Sequence, residues 1–144
     1  MNLDQVTPNT PEALRLARKA RIERIKGKGK TERVVYLSAD ARQALADYLE
    51  KERLYDETEE SIALFLSAKG LPARKLDGRL STRSINTILE KIGKWHDAEV
   101  FDSDRKISPL QPHDLRHTFA YQLSKITGAD SYESAPVIGY IVFS

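Results

Sequence analysis

The chain contains no cysteine among its 144 residues. That absence excludes disulfides and thiolate zinc sites, and it is typical of proteins that fold in a reducing compartment. No apolar run approaches the roughly 20 residues that a membrane-spanning helix needs. The first residues also lack the basic segment followed by an apolar segment that marks a signal peptide. We therefore expect a cytoplasmic protein with no membrane partner.

A nucleotide-binding P-loop is also lacking, although KGKGKTER at residues 26–33 contains the letters Gly-Lys-Thr. The P-loop places a first glycine five positions before its second, so that backbone amides can wrap a phosphate. That position holds Arg24, and the β-branched and aromatic run at residues 33–37 predicts a strand rather than a helix. We expect no bound nucleotide, and we predict a β-hairpin over residues 21–37 whose glycines form the turn.

The charged residues are unevenly distributed, although the net charge is only +2. Residues 1–37 hold nine Lys/Arg against four Asp/Glu, and residues 69–94 hold seven against two, with an acidic block between them. Two basic blocks favour a positive surface for nucleic acid. Ordinary solvated charge explains the same pattern equally well.

Capping residues and helical periodicity predict the remaining elements. Thr10 before a proline predicts a short helix, although a linker fits the following basic residues equally well. Ser38 or Asp40 begins a second helix, and Ser81 begins a third with an apolar stripe. A last helix runs from about residue 112 to 126 and is stopped by a glycine. The pattern predicts one α+β domain over residues 1–144, mainly helical, with a small antiparallel hairpin or sheet packed on a helical bundle.

The last predicted helix, HDLRHTFAYQLSKITG, has two chemically different faces. At about 100° per residue its apolar side chains share one face, namely Leu115, Phe119, Leu123 and Ile126. The other face carries His113, Arg116 and His117. An arginine fork suits bidentate contact with phosphate, and histidine exchanges protons near neutral pH.

Three interpretations fit this cluster. The imidazoles can be surface groups bonded to neighbouring backbone. Alternatively His113 and His117, at i and i+4, can hold a metal ion, but Arg116 lies between them and the residue after His113 is not the glutamate of a zinc protease. The third interpretation is phosphate chemistry on a nucleic acid, which would use the arginine and the basic blocks together.

The sequence at residues 113–120, His-Asp-Leu-Arg-His-Thr-Phe-Ala, resembles the His-x-x-Arg box of the tyrosine recombinases, the phage integrase family of site-specific DNA recombinases. Residues 27–37 are similar to that family's Gly-Lys-Gly β-hairpin, and residues 63–67 to its short segment before the following loop. Residues 3–6, Leu-Asp-Gln-Val, resemble the stretch that follows the family's first catalytic helix. The resemblance covers most of residues 1–133 in the same order.

The resemblance implies a mechanism without a metal or nucleotide cofactor. A tyrosine hydroxyl attacks a phosphodiester of double-stranded DNA, forms a 3′-phosphotyrosine and releases a 5′-hydroxyl. Carried over by motif, Arg116 would hold the non-bridging oxygens, His113 would accept or orient a proton, and Lys28 would protonate the leaving oxygen. Basic residues nearby would contact the DNA backbone: Lys26, Lys30, Arg33 and Arg83. The resemblance also implies a homo-oligomer on DNA for a full-length relative.

Two members of the family's catalytic set have no match. Its first arginine precedes the stretch that residues 3–6 resemble, and its nucleophile follows a Leu-Gly-His box that Val137-Ile138-Gly139-Tyr140 resembles only faintly. Tyr140 lies where that box would be, so it is a poor candidate nucleophile. We therefore expect a recombinase catalytic domain truncated at both ends, with an atypical tail at residues 134–144.

The function predicted by the resemblance is site-specific DNA recombination or integration in a bacterial or phage-type, nucleoid-associated setting. We expect the chain itself to be inactive in DNA cleavage, because the first arginine and the tyrosine nucleophile have no match. A non-catalytic DNA-binding or regulatory module is the alternative. A metal-dependent phosphohydrolase built on His113 and His117 is a third possibility, although we expect no metal site.

Overall fold

A computed structural model describes residues 1–27, 29–72 and 74–127. They form five α-helices, three β-strands and two short 3-10 turns, so the predicted α+β class is confirmed. The strands are β1 (Val6–Thr7), β2 (Arg21–Lys26) and β3 (Glu32–Tyr36), and the helices are α1 (Pro11–Leu16), α2 (Ala39–Lys51), α3 (Arg53–Asp56), α4 (Thr82–Ala98) and α5 (Pro112–Thr127). The chain divides into two compact units, one spanning Met1–Leu80 and the other beginning at Ser81.

The first unit contains a three-stranded antiparallel sheet in the order β1-β2-β3. Val6 pairs with Ile22, and Ile22 pairs in turn with Val35. These three side chains are buried, and the unit's core is completed by residues from the helices and from the segment after α3: Leu14, Leu45, Ala46, Leu49, Ala63, Leu64 and Leu66. The sheet and the first helices therefore share one apolar core.

Serine and threonine caps fix where three helices begin. The side chain of Thr10 accepts a hydrogen bond from the amide of Ala13, which makes residues 11–16 a helix rather than a linker. Ser38, not Asp40, caps α2 through its hydroxyl, and Ser81 caps α4 in the same way. Each cap satisfies an otherwise unpaired helical amide and contributes about 1 kcal/mol.

Arg53 is the buried charged side chain among the described residues, at 3% exposure. Its guanidinium donates to three backbone carbonyls that follow α3, those of Ser61, Ala63 and Leu64, at 2.8 to 3.2 Å. It also donates to the carboxylate of Glu57 at 2.9 Å. The buried charge is therefore satisfied on several sides, as burial of a guanidinium requires.

The second unit is built around α4 and α5. Gly93 is the buried residue of α4, and a Cβ placed there would lie 3.0 Å from the Ser108 hydroxyl and 3.1 Å from the Leu110 Cβ. The glycine therefore allows the segment before α5 to approach the α4 backbone closely. The predicted apolar stripe of α4 is present but remains partly exposed, with Ile88 at 46% and Trp95 at 70%.

No helix among the described residues is long and apolar enough to cross a membrane.

Replacing Arg53 by methionine is expected to destabilise the first unit by about 3 kcal/mol, because buried carbonyls lose their charged donor. Urea unfolding followed by far-UV circular dichroism measures this difference. Arg18→Met is the matched control, since Arg18 is exposed, and it should change stability by less than about 0.5 kcal/mol. Equal effects of the two substitutions would contradict the structural role of Arg53.

Candidate active site

The hairpin formed by β2 and β3 carries the predicted DNA-binding residues of the first unit. The amide of Gly27 donates to the carbonyl of Thr31 at 3.1 Å and closes the turn. Gly29 has a φ of +80°, in the left-handed region that favours glycine. Lys28 lies outside the described residues, so its role as proton donor stays a prediction.

The basic side chains of the hairpin have different surroundings. Lys26 and Lys30 are exposed, and Lys26 lies opposite Glu32 across the strand pair. Arg33 shares the sheet face of the buried Val35 and is itself half-buried. A Cβ at Gly27 would lie 2.9 Å from Arg33 Nε, so the absence of a side chain at Gly27 leaves room for the guanidinium.

A bulge in β2 sets the course of the hairpin, and the sequence gives no signal for it. Arg24 has a φ of +52°, and the pairing register shifts between Ile22 and Ile25. The side-chain amide of Gln5 donates to the carbonyls of Glu23 and Arg24, at 2.8 and 3.0 Å. Neither a glycine nor an asparagine marks the left-handed position, so composition alone could not reveal the bulge.

Helix α5 carries the predicted His-x-x-Arg residues in the second unit. Its first turn is fixed by two reciprocal hydrogen bonds. The Asp114 carboxylate accepts from the amide of Gln111 at 2.9 Å, and the amide of Asp114 donates to the carbonyl of Gln111 at 3.0 Å. His113, Arg116 and His117 are all exposed on this helix. The Nε2 atoms of the two histidines lie 2.7 Å apart, with their rings nearly perpendicular.

The loop that leads into α5 is held by Asp97 of α4. The Asp97 carboxylate accepts hydrogen bonds from the amides of Ile107 and Ser108, at 2.8 and 2.9 Å, and contacts His96 Nδ1 at 3.2 Å. Burial by itself opposes the charge, but the donors from Ile107, Ser108 and His96 together lower the pKa of Asp97 well below its ordinary value. The ionised carboxylate therefore anchors the start of the His-x-x-Arg segment.

The predicted site residues fall into two groups. Lys26, Lys30 and Arg33 lie together on the hairpin of the first unit, whereas Arg83 lies on α4 in the second. His113 and Arg116 share α5. Among the described residues no three histidine, cysteine or carboxylate side chains converge as a metal site would require. Tyr140 and the rest of the tail lie outside the described residues.

Comparison with known proteins supports a specific family. Residues 14–131 match the model of the phage integrase family. The chain is 36% identical over 126 residues to the tyrosine recombinase XerC of Pelotomaculum thermopropionicum, with 84% of this chain and 36% of that protein covered. It is 31% identical over 129 residues to XerC of Thermodesulfovibrio yellowstonii, with 84% and 36% covered.

A third relative is the tyrosine recombinase XerD of Corynebacterium glutamicum, 35% identical over 117 residues, with 81% of this chain and 33% of that protein covered. The chain thus spans about a third of the length of these curated relatives. No solved structure matches the chain significantly.

The chain belongs to the phage integrase family, the family of the tyrosine recombinases. The family membership predicted from the His-x-x-Arg helix and the Gly-Lys-Gly hairpin is therefore confirmed. The roles of individual residues remain predictions.

Asp97→Asn is expected to unfold the second unit at a lower temperature at neutral pH, because an amide cannot accept from both loop amides. The folded pKa of Asp97 is lowered, so its stabilisation is fully present above the unfolded pKa of about 4 and is lost as the pH falls further. The Tm difference between wild type and variant should therefore narrow on acidification.

Fluorescence of Trp95, the single tryptophan of the chain, reports this transition from within α4. Asp104→Asn, a change of an exposed carboxylate in the same loop, is the control and should leave the Tm unchanged. A Tm difference for Asp97→Asn that stays constant from neutral to acidic pH would argue against the ionised anchor.

Proposed function

We propose that this chain supplies the phosphate-handling part of a site-specific DNA recombinase. The observation that carries the proposal is the pairing of His113 and Arg116 on one exposed helix, within a segment matched by the phage integrase family. In this reaction class a tyrosine hydroxyl displaces the 5′-oxygen of a DNA strand and leaves a 3′-phosphotyrosine. A second 5′-hydroxyl then attacks the phosphotyrosine and restores the backbone.

Each residue has a chemical task in that proposal. The planar guanidinium of Arg116 donates to non-bridging phosphate oxygens, whose negative charge increases as the new bond forms. His113 accepts or orients a proton beside the same phosphate. Lys28 protonates the departing 5′-oxygen, which otherwise leaves as a high-energy alkoxide. The chemistry requires the family's tyrosine, and we assign no tyrosine of residues 1–144 to that task.

DNA contact is assigned to the hairpin and to the start of α4. Lys26 and Lys30 are exposed on the hairpin, and Arg33 lies beside its turn glycine. Arg83 is exposed in the first turn of α4. Lysines and arginines at such positions neutralise backbone phosphates and release counterions, which gives affinity without reading sequence.

Three further parts of the proposal concern the recombinase as a whole rather than the matched segment. The chain spans about a third of their length, so strand exchange, assembly of several copies on DNA and association with a bacterial nucleoid are proposed for the recombinase to which it contributes. A non-catalytic DNA-binding module is the second candidate, favoured by the lack of an assigned nucleophile.

Duplex DNA binding should weaken steeply as salt rises, since log K falls with log salt by about 0.9 per neutralised phosphate. Lys30→Ala should reduce that slope by about one. Lys51→Ala is the control, because Lys51 is also exposed but lies in the acidic block between the two basic blocks. Fluorescence anisotropy over a salt series measures both variants. Binding that ignores salt, or equal slopes for the two variants, would remove the DNA assignment.

A nicked suicide duplex distinguishes cleavage from binding. Residues 1–144 alone should bind this DNA without forming a covalent protein–DNA adduct, because no nucleophile is assigned among them. Denaturing gel electrophoresis of labelled DNA detects such an adduct. A stable adduct that disappears in Tyr140→Phe, while Tyr121→Phe retains it, would identify Tyr140 as the nucleophile and overturn this assignment.

A further inference from the structure

The histidine pair on α5 has a geometry that the family motif alone does not explain. The His113 Nε2 and His117 Nε2 atoms lie 2.7 Å apart, and the ring centroids are 4.2 Å apart at an interplanar angle of 89°. A nitrogen–nitrogen contact this short is a hydrogen bond, since two bare lone pairs would repel and two N–H groups would collide. One proton therefore lies between the two Nε2 atoms.

A shared proton couples the states of the two rings. A neutral imidazole carries one N–H and one lone pair, so the ring that donates from Nε2 leaves its Nδ1 bare. The accepting ring offers a bare Nε2 and must carry its proton on Nδ1. The tautomer of each histidine is thus fixed by the other, as happens when a second group orients a catalytic imidazole.

The geometry of the pair leaves room for a single bridging proton. Arg116 lies between the two histidines in sequence, on the same helix, and adds a positive charge. The carboxylate of Asp114 is turned toward the amide of Gln111, where it completes the first turn. Two imidazolium rings at this separation would place two N–H donors and two like charges against each other.

We propose that His117 is a positioning residue that selects the tautomer of His113. The inference rests on the proposed function only for its consequence, namely that His113 presents its remaining ring nitrogen to DNA in one defined protonation state. A proton taken up at one nitrogen of the donor ring can be balanced by transfer of the bridging proton to the partner ring. The pair would then hold one added proton as a single positive charge on the partner ring, while the ring that took up the proton stays neutral.

Nitrogen-15 NMR of the imidazoles tests the proposal on the chain itself, without DNA. The chain has only three histidines, and His96 on α4 serves as the internal reference. In the neutral state the rings of His113 and His117 should show opposite tautomers. His117→Leu should return His113 to a mixture of tautomers, while the His96 signals remain unchanged.

His117→Lys supplies a donor-only group, since its ammonium can donate to His113 Nε2 but cannot accept from it, which selects the tautomer with the proton on Nδ1. In this variant His113 should again show a single dominant tautomer. Equal tautomer mixtures for His113 in the wild type and in His117→Leu would overturn the proposal, and so would identical tautomers on both rings. A positive result together with salt-independent DNA binding would refute the proposed function and leave the histidine pair standing.

Discussion

The donation of Arg53 to the carbonyls after α3 is the constraint on which the first unit depends. The carbonyls belong to a segment that also pairs with the beginning of the chain, because the amide of Leu3 donates to Ile62 and the amide of Leu64 donates to Met1. The 3-10 turn at Leu3–Gln5 follows directly and leads into β1. A single buried guanidinium therefore ties the start of α3 to the segment that pairs with the beginning of the chain.

The same chain of contacts reaches the hairpin. Gln5 stands at the end of that first turn, and its side chain spans the two carbonyls that the β2 bulge leaves open. The hairpin is thus supported at its base by residues that are held in place through Arg53. Support of this kind serves the phosphate contacts proposed for the hairpin, since such contacts require side chains in defined positions.

Periodicity and capping chemistry predicted most of the elements, because these signals are local. Thr10, Ser38 and Ser81 satisfy helix amides within their own turns, and the glycines of residues 27–29 mark the hairpin turn. The bulge at Arg24, the buried position of Arg53 and the Asp97 anchor arise from partners distant in sequence. The spacing of residues 113–117 identifies the motif, but the contact between the Nε2 atoms of its two histidines depends on rotamers that spacing cannot specify.

The β2 bulge also determines which side chains of the hairpin are exposed to solvent. Side chains alternate across a strand, yet Ile22 and Ile25 are both buried although three positions separate them. The extra residue between them reverses the alternation once, so that Lys26 points away from the core beyond it. The extra residue therefore decides which face of the sheet each hairpin side chain after Ile25 occupies. Deletion of one uncharged residue between Ile22 and the hairpin turn would exchange the buried and exposed faces of the rest of β2 without altering the charge of the hairpin.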